Sequence, residues 1–507
     1  MTVTDDADDH LPQRTVFPAD QFTDPLATPT DSPQQADRIV DDHSRSPGDD
    51  HGAPQEGEFA STPRSPSIPA TLRPTSRRDW IAAGVLSVLA ATTIVVAAIY
   101  APIRHTDVAP AAAPLTDVAQ LSTVPRTFSE AWSTPIDGVT FPLVPQVDAD
   151  AGVVVAADKH GFRALDPRDG STVYAYHRDH DLCLLGISGF NSVVAGYRTA
   201  AGCSEITALR SDSGRYRATR FDNAAADPAL IRSHAAIGSI DAERVELWRS
   251  DMVRTVEYGD PIAPQEPGMQ PTADCTIDSA LTRGDLLAVV ESCSPDFSAD
   301  EETTKPTGEA RIGRDGRSWW LRLVARDPED SREPEFYSSV PLAQPSHVVA
   351  IAEDRVAVAE VTNGNTETTP VTIYSQDGDQ VATTAIPPLA HASITADAPG
   401  GVYSPDANDI AHAMTLYDGK HLNFFLPSTL ELMFSVDDAI GNPIDIDGSV
   451  VYPTRDGLVM LRGYSNEAIR HIAIDRGDYQ GDVHLGLVGR TLVERRGNEL
   501  FGLIAEF

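Results

Sequence analysis

The hydrophobic positions of the chain concentrate first in one stretch, Trp80–Ala101, which contains no Asp, Glu, Lys or Arg. A helix rises 1.5 Å per residue, so about 20 residues cross a hydrocarbon core of about 30 Å. The stretch is long enough for one complete crossing. It predicts a single transmembrane helix over residues 79–101, in contact with membrane lipid over residues 80–101.

Basic residues beside this stretch predict its orientation. Three arginines precede it (Arg73, Arg77 and Arg78) and only Arg104 follows it closely. Because such residues favour the cytoplasmic side, we expect a cytoplasmic N-terminus and an extracytoplasmic C-terminal part at the cell membrane. A cleaved signal peptide is the main alternative, with small residues at 111–113 for cleavage. Signal peptides, however, lie at the extreme N-terminus and have a shorter apolar core.

Beyond residue 126 the pattern changes to short apolar runs separated by Gly, Asp and Pro, and no long helical period occurs. Such runs are typical of β-strands in an all-β protein. They form groups of four, and the clearest group extends over residues 152–176. Its first turn recurs at 450–461 and 492–501, and its second turn recurs at 208–214 and 373–378. The sequence therefore predicts an array of four-stranded repeats.

The clearest group carries a resemblance to a known family. It contains a turn at Gly161, the run Ala164-Leu165-Asp166 and a second turn that closes at Gly170. In these features it resembles the quinoprotein-type (PQQ-like) β-propeller repeat, which the assembly-factor lipoproteins of outer membranes share. The aromatic residue that usually follows the turn glycine, often Trp, is Tyr174 here and is lost in most other units. The resemblance implies a β-propeller over residues 126–507.

Counting the units predicts an eight-bladed propeller, with seven blades as the alternative because the third and sixth units are the least regular. The predicted blades are 139–179, 181–223, 230–260, 274–342, 346–388, 391–438, 442–477 and 482–507. The last unit ends after its third strand. We expect the segment Arg126–Pro135, which contains Trp132, to supply the fourth strand, because that closure leaves no open sheet edge between the two ends.

Composition limits what the N-terminal part can be. Residues 1–70 contain ten Pro and carry a net charge of −10. They bury too little apolar surface to offset the entropy of ordering. We predict a disordered, acidic, Pro-rich cytoplasmic tail over residues 1–78, which is either a solvated spacer or a phosphorylated, partner-binding segment. Residues 102–125, rich in Ala and Pro, predict a semi-rigid stalk, and the polar insertion 294–318 predicts a disordered loop.

The four cysteines all lie in the part predicted to be extracytoplasmic, where disulfides persist. Four cysteines allow three pairings. We expect Cys183–Cys203 and Cys275–Cys293. The second pair flanks a strand-turn-strand pattern centred on Gly284, which would place the two residues opposite each other across a hairpin.

The sequence contains no G-x-S-x-G, H-E-x-x-H, Walker or G-x-G-x-x-G motif, and no cofactor is predicted. The adjacent cysteines that often lie under the cofactor in quinone-dependent relatives do not occur here. No metal site is predicted either. The residues that could form one are grouped in one segment: His177, Asp179, His180 and Asp181.

The connections between units carry many acids, which predicts a candidate acidic face on one side of the ring. The net charge of −36 argues against nucleic-acid binding. An acidic face would attract a cationic ligand or a basic protein segment, although Asp also suits turns for local reasons. The acids are Asp179, Asp181, Asp222, Asp227, Asp260, Asp437, Asp438, Asp475, Asp478 and Asp482.

These features favour a membrane-anchored extracytoplasmic propeller that acts as a non-catalytic binding scaffold or sensor in the cell envelope, with another envelope protein or a cationic ligand as its partner. The alternative is an extracytoplasmic enzyme, either a hydrolase or a cofactor-dependent dehydrogenase, with its site at the propeller channel. Titratable residues that converge at the channel mouth with perturbed pKa values would favour the enzyme.

Overall fold

One long helix precedes the β-sheet region in the computed structural model of the protein. The structure describes residues 76–99, 101–115, 119–137, 145–261, 266–298, 300–313, 315–361, 366–389 and 398–507. Most of the predicted cytoplasmic tail lies outside these residues. Helix α1, Arg77–Ile99, has no buried residue and is long and apolar enough to cross a membrane. Its bounds agree with the predicted span to within two residues.

The remaining elements are almost all strands. The exceptions are the short helix α2 (Glu301–Thr304) and two 3₁₀ turns, Pro102–His105 and Pro399–Gly401. The strands of the first half are β1 (Thr106–Ala109), β2 (Thr127–Pro135), β3 (Gln146–Asp148), β4 (Val153–Asp158), β5 (Gly161–Leu165), β6 (Thr172–Arg178), β7 (Leu182–Ser188), β8 (Ser192–Thr199), β9 (Gly202–Arg210), β10 (Tyr216–Ala224), β11 (Ala229–Arg232), β12 (Ile237–Ile240), β13 (Arg244–Trp248) and β14 (Arg254–Gly259).

The strands of the second half are β15 (Thr276–Arg283), β16 (Leu286–Cys293), β17 (Ser318–Ala325), β18 (Phe336–Leu342), β19 (Ser346–Ile351), β20 (Arg355–Glu360), β21 (Thr369–Ser375), β22 (Gln380–Ile386), β23 (Asp406–Ile410), β24 (Ala413–Tyr417), β25 (Leu422–Phe425), β26 (Leu432–Val436), β27 (Ile444–Ile446), β28 (Ser449–Thr454), β29 (Gly457–Leu461), β30 (Ala468–Ala473), β31 (Val483–Val488), β32 (Thr491–Arg496) and β33 (Glu499–Glu506).

These strands form eight antiparallel sheets, which are the eight blades of a β-propeller. Blades 1 to 7 each take four consecutive strands, beginning at β3, β7, β11, β15, β19, β23 and β27. The first strands of neighbouring blades contact one another (β3 with β7, β7 with β11, β11 with β15, β15 with β19), so the first strand of each blade is innermost. The predicted eight-bladed fold is confirmed, and the seven-blade alternative is wrong.

Blade 8 confirms the predicted ring closure, because its strand order is β2-β33-β32-β31. Strand β2 pairs antiparallel with β33, and Thr127 lies opposite Glu506 while Pro135 lies opposite Glu499. Trp132 is buried in this sheet, and its Nε1 donates a hydrogen bond to the carbonyl oxygen of Pro167 at 2.8 Å. A Cβ atom at Gly502 would lie 2.0 Å from the indole ring, so glycine at this position leaves room for it.

A buried arginine joins blades 7 and 8. Arg476 donates hydrogen bonds to the carbonyl oxygens of Thr454 and Gly457 in blade 7, at 2.6 and 3.1 Å. Its other contacts are with the carboxylate of Glu494 in blade 8, at 2.7 and 2.9 Å. Arg496 donates to the same carboxylate at 2.8 Å. Glu494 is fully buried, so these two guanidinium groups rather than water balance its charge.

Residues 102–125 differ from the predicted stalk, because much of this segment packs on the propeller. Strand β1 pairs antiparallel with β6 and makes blade 1 five-stranded, with Thr106 opposite Arg178. The amide of Ala111 donates to the carbonyl oxygen of Ser213 at 3.0 Å, and Leu121 is buried with side chains of blades 7 and 8. Composition alone missed this because the pairing uses main-chain groups that any residue but Pro supplies.

The polar insertion 294–318 also differs from its predicted disorder over its described residues. Asp300 caps α2, with its side chain accepting from the amide of Glu302. Residues 305 and 307 then exchange main-chain hydrogen bonds with Ser339 on the outer strand of blade 4, at 3.0 and 2.8 Å. The insertion therefore covers that edge of the sheet.

Both expected disulfides, Cys183–Cys203 and Cys275–Cys293, are present. Cys275 and Cys293 lie at the open end of the β15–β16 hairpin, as the sequence indicates, with Cα atoms 4.3 Å apart. The first disulfide passes over Gly196 on the intervening strand β8, where a Cβ atom would lie 3.1 Å from the Cys203 sulfur. No cysteine of the chain is free.

Candidate functional site

The direction of the innermost strands defines two faces of the ring. Each innermost strand begins at the face that carries the connections between blades, such as residues 179–181 and 474–482, and we call this the connection face. The strand ends at the opposite face, which carries the first and third turns of each blade, such as residues 149–152, and we call this the turn face. Any site at the axis opens to one of these faces.

The predicted acids lie in or beside the connections between blades, and thus toward the connection face, but they are not equivalent. Asp222 is buried and forms an ion pair with Arg244, so it does not belong to an acidic surface. Asp227 pairs with Arg198. Asp438 and Asp482 accept hydrogen bonds from Tyr452 and Tyr417, each at 3.0 Å. The acids that remain exposed without an ion pair in the described structure are Asp260, Asp437, Asp438, Asp475 and Asp478.

The residues that could have formed a metal site do not converge, because each carboxylate has its own histidine partner. Asp179 contacts His105 at 2.7 Å and Asp181 contacts His160 at 3.2 Å. His177 contacts a different carboxylate, Asp158, at 3.0 Å. His180 is exposed. The four predicted residues therefore share a region of blades 1 and 2 without a common centre.

One group of potential metal ligands converges among the described residues, and it consists of Cys275, Glu291 and Cys293. The two thiols form a disulfide, so they are not available as thiolates. Glu291 contacts Arg322 at 2.7 Å and accepts from the hydroxyl of Tyr258 at 2.6 Å. Burial raises the pKa of Glu291, while the Arg322 charge acts in the opposite direction. This group is therefore a structural ion pair within blade 4, and the hydrogen bond from Tyr258 links it to blade 3.

At the connection face, titratable side chains gather where the innermost strands begin. His347 lies 2.5 Å from Asp278, and both are buried. The ring of Tyr403 stacks on His347, with the ring centroids 4.1 Å apart. His484 lies 3.4 Å from Asp406. Burial raises the pKa of Tyr403 strongly, and the charges of Asp418, Asp406 and Asp278 add to this effect. Tyr403 therefore stays protonated and could donate a hydrogen bond at neutral pH.

At the turn face, a cavity of about 490 Å³ opens around the axis. Its lining comes from the ends of innermost strands in blades 1 to 6 and combines apolar side chains with charges of both signs. Asp409 contacts Arg283 at 2.9 Å and His234 at 3.2 Å. Arg232 donates to the carbonyl oxygen of Ile187 at 3.3 Å and to the side-chain oxygen of Gln146 at 3.4 Å. The cavity could hold a small polar molecule.

Neither mouth of the channel was identified by residue from the sequence. A sequence signal for the connection-face mouth does exist, and it is the position of polar residues within a unit. The second or third residue of the first strand is polar in three units, at Asp278, His347 and His484. A polar residue at such an inward position is unusual for a buried strand. Using that signal requires the blade boundaries and the ring geometry, which bring residues about 70 and 140 positions apart to one axis.

Comparisons with known proteins bear on the fold alone. No family model matches the chain, and no curated protein matches it. The solved structures that resemble it include BamB from Moraxella catarrhalis, with 10% identity and a TM-score of 0.40, covering 75% of this chain and 98% of that one. The quinohemoprotein alcohol dehydrogenase ADHIIG from Pseudomonas putida has 11% identity and a TM-score of 0.41, covering 76% and 78%. At such identities and scores, neither likeness supports a functional assignment.

Proposed function

We propose that this protein is a membrane-anchored, extracytoplasmic β-propeller that acts as a non-catalytic binding scaffold or sensor in the cell envelope. The observation that carries the proposal is the direct tether. Six residues separate the end of α1 at Ile99 from Thr106, where β1 already belongs to blade 1. An extended chain spans at most about 3.6 Å per residue, so this link reaches about 25 Å at most. A propeller tethered so closely suits partners at the membrane surface.

Other features support the same proposal. Two disulfides suit an oxidising compartment outside the cytoplasm. The unit 152–176 supports kinship with the PQQ-like repeat family, whose members include envelope assembly factors. The exposed acids of the connection face would favour a cationic ligand or a basic segment of another envelope protein.

Topology is tested by labelling a single added cysteine in intact cells. Ser465 is exposed in blade 7, and Ser46 lies in the predicted tail. We expect a membrane-impermeant maleimide to label the Ser465→Cys chain and to spare the Ser46→Cys chain until the membrane is permeabilised. The native cysteines form disulfides, so the unsubstituted chain is the control and should remain unlabelled. The reverse pattern would contradict the proposed orientation.

An enzyme remains the second candidate, because titratable groups do converge at the connection face. The pair Asp278–His347 and the protonated Tyr403 have the chemistry of a general base and a hydrogen-bond donor. We expect the purified full-length chain to hydrolyse p-nitrophenyl acetate no faster than its His347→Gln variant. A rate that depends on His347 in variants with unchanged melting temperature would favour the hydrolase over the scaffold.

A further inference from the structure

The outer edge of blade 2 is formed by strand β10, Tyr216–Ala224. One side of this strand pairs with β9, and no described strand pairs with its other side. An unpaired edge presents main-chain N–H and C=O groups that can pair with an added strand. The edge of β10 is therefore open to a partner.

Blades 1, 3 and 4 of the same molecule cover this position with their own chain. Strand β1 pairs with the outer strand of blade 1. In blade 3 the amide of Glu257 donates to the carbonyl oxygen of Ser331 at 2.8 Å, and in blade 4 the insertion pairs with Ser339. The fold thus accepts extra main-chain segments at the outer edge of a blade. Blade 2 lacks such a segment in the described structure.

Two aromatic side chains stand exposed on this open strand. Tyr216 is 63% exposed and Phe221 is 57% exposed. The hydroxyl of Tyr216 donates to Thr219 Oγ1 at 3.2 Å, and Thr219 lies two residues before Phe221, so the three side chains share one face of the strand. Large exposed aromatic rings of this kind are enriched at protein interfaces.

The charge of the strand is opposite to that of the chain. Residues 215–221 contain three arginines and no acid, whereas the whole chain carries −36. Arg220 pairs with Glu246. Among the described residues, Arg217 donates to neutral oxygens, of Phe190 at 2.6 Å and Ser192 at 2.8 Å, and to no carboxylate. Arg215 is exposed and forms no ion pair among the described residues; its charge acts on the carboxylate of Asp212, which is itself paired with Arg210. Two cations beside the open edge thus remain available to carboxylates.

We propose that the β10 edge binds an extended, acidic segment of a partner protein, which adds to blade 2 as a fifth strand. Main-chain hydrogen bonds supply affinity, Tyr216 and Phe221 pack against alternate side chains, and Arg215 and Arg217 select acidic residues. A second copy of this chain fits less well, because antiparallel pairing of two β10 strands would bring their arginines together. The inference rests on the proposed binding function and names the chemistry of its partner.

The test uses the purified full-length chain in nanodiscs and a random library of peptides of about nine residues, the length of a long strand. We expect the enriched peptides to be acidic, with apolar residues at alternate positions. This result is diagnostic because the net charge of −36 would otherwise favour basic peptides. Enrichment of basic peptides, or of none, overturns the proposal.

Variants then locate the binding of the leading acidic peptide. We expect the double variant Arg215→Glu, Phe221→Ser to weaken it about tenfold or more, as the loss of an interface anchor does. Val381→Glu, at an exposed position on the outer strand of blade 5, is the matched control and should bind normally. Both variants change exposed residues, and their melting temperatures verify that the fold is kept. Equal weakening by the control variant overturns the assignment to β10.

The binding mode and the competing occupants are separated by further measurements. A peptide with the same side chains but N-methylated along one edge should bind about tenfold more weakly if main-chain pairing operates, and unchanged binding overturns strand addition.

Other occupants of the β10 edge give different results. If the wild-type chain forms a dimer that the Phe221→Ser substitution dissociates, the occupant is a second copy of this chain. If the chain binds anionic vesicles and binds no peptide, the occupant of the β10 edge is lipid. If the labelling experiment gives the predicted orientation but these binding tests fail, the inference about β10 is wrong and the proposed membrane anchoring still stands.

Discussion

Replacing Trp132 with Ala is expected to lower the free energy of unfolding of the propeller by about 3–5 kcal/mol, a large share of the stability of a typical domain. The indole is buried within blade 8, and its Nε1 bonds to the Pro167 carbonyl oxygen of blade 1. Its loss leaves a cavity at the point where the two ends of the ring meet. Thermal or denaturant unfolding of the full-length chain measures the effect.

The matched control for this change is Ala131→Ser, because Ala131 is the exposed neighbour of Trp132 on the same strand. We expect its effect to stay within about 0.5 kcal/mol. Trp132→Phe should have an intermediate effect, since it keeps much of the apolar contact and loses the hydrogen bond. If the Trp132→Ala variant melts at the temperature of the parent chain, strand β2 does not close the ring.

Replacing Glu494 with Gln is expected to cost about 3–5 kcal/mol, because it leaves two buried cations without their counter-ion. Arg476 and Arg496 both contact this carboxylate, and Arg476 also bonds to carbonyl oxygens of blade 7. The side chains of Glu and Gln are nearly the same size, so the loss reflects charge rather than packing. The measurement is the free energy of unfolding at low and high salt.

Glu130→Gln is the control, because Glu130 is exposed on strand β2 of the same blade. We expect a small effect that salt reduces further, as for other exposed charges. The buried substitution should instead be almost independent of salt. A Glu494→Gln chain as stable as the parent would mean that water or another group compensates the two arginines.

Ring closure shows how far sequence reasoning reaches. Alternating apolar runs and turn glycines predicted eight units. The last unit had only three strands, and the segment around Trp132 was predicted to supply the fourth, as it does in the structure. The disulfide Cys275–Cys293 was predictable for the same reason, since a hairpin places residues at equal distances from its turn opposite each other. Both are local patterns with one simple geometric consequence.

The pairing of strand β1 and of the insertion of blade 4 could not be predicted from the sequence. Their pairing depends on main-chain groups and on an edge that becomes available only after the blades assemble. Asp222 illustrates the same limit for charges. In sequence it is one acid among ten in the connections, but folding places it against Arg244 and removes it from the surface.

The sequence by itself therefore determined the apolar span and the repeat, and it favoured eight blades with a closed ring over seven, because these features follow from the pattern of apolar residues and turns along the chain. The tertiary structure alone decided which charges are buried and paired, which edges are covered, and which residues meet at the axis. Those outcomes depend on contacts between residues far apart in the chain. The cluster of Asp278, His347 and Tyr403 exists only because three innermost segments converge on one axis.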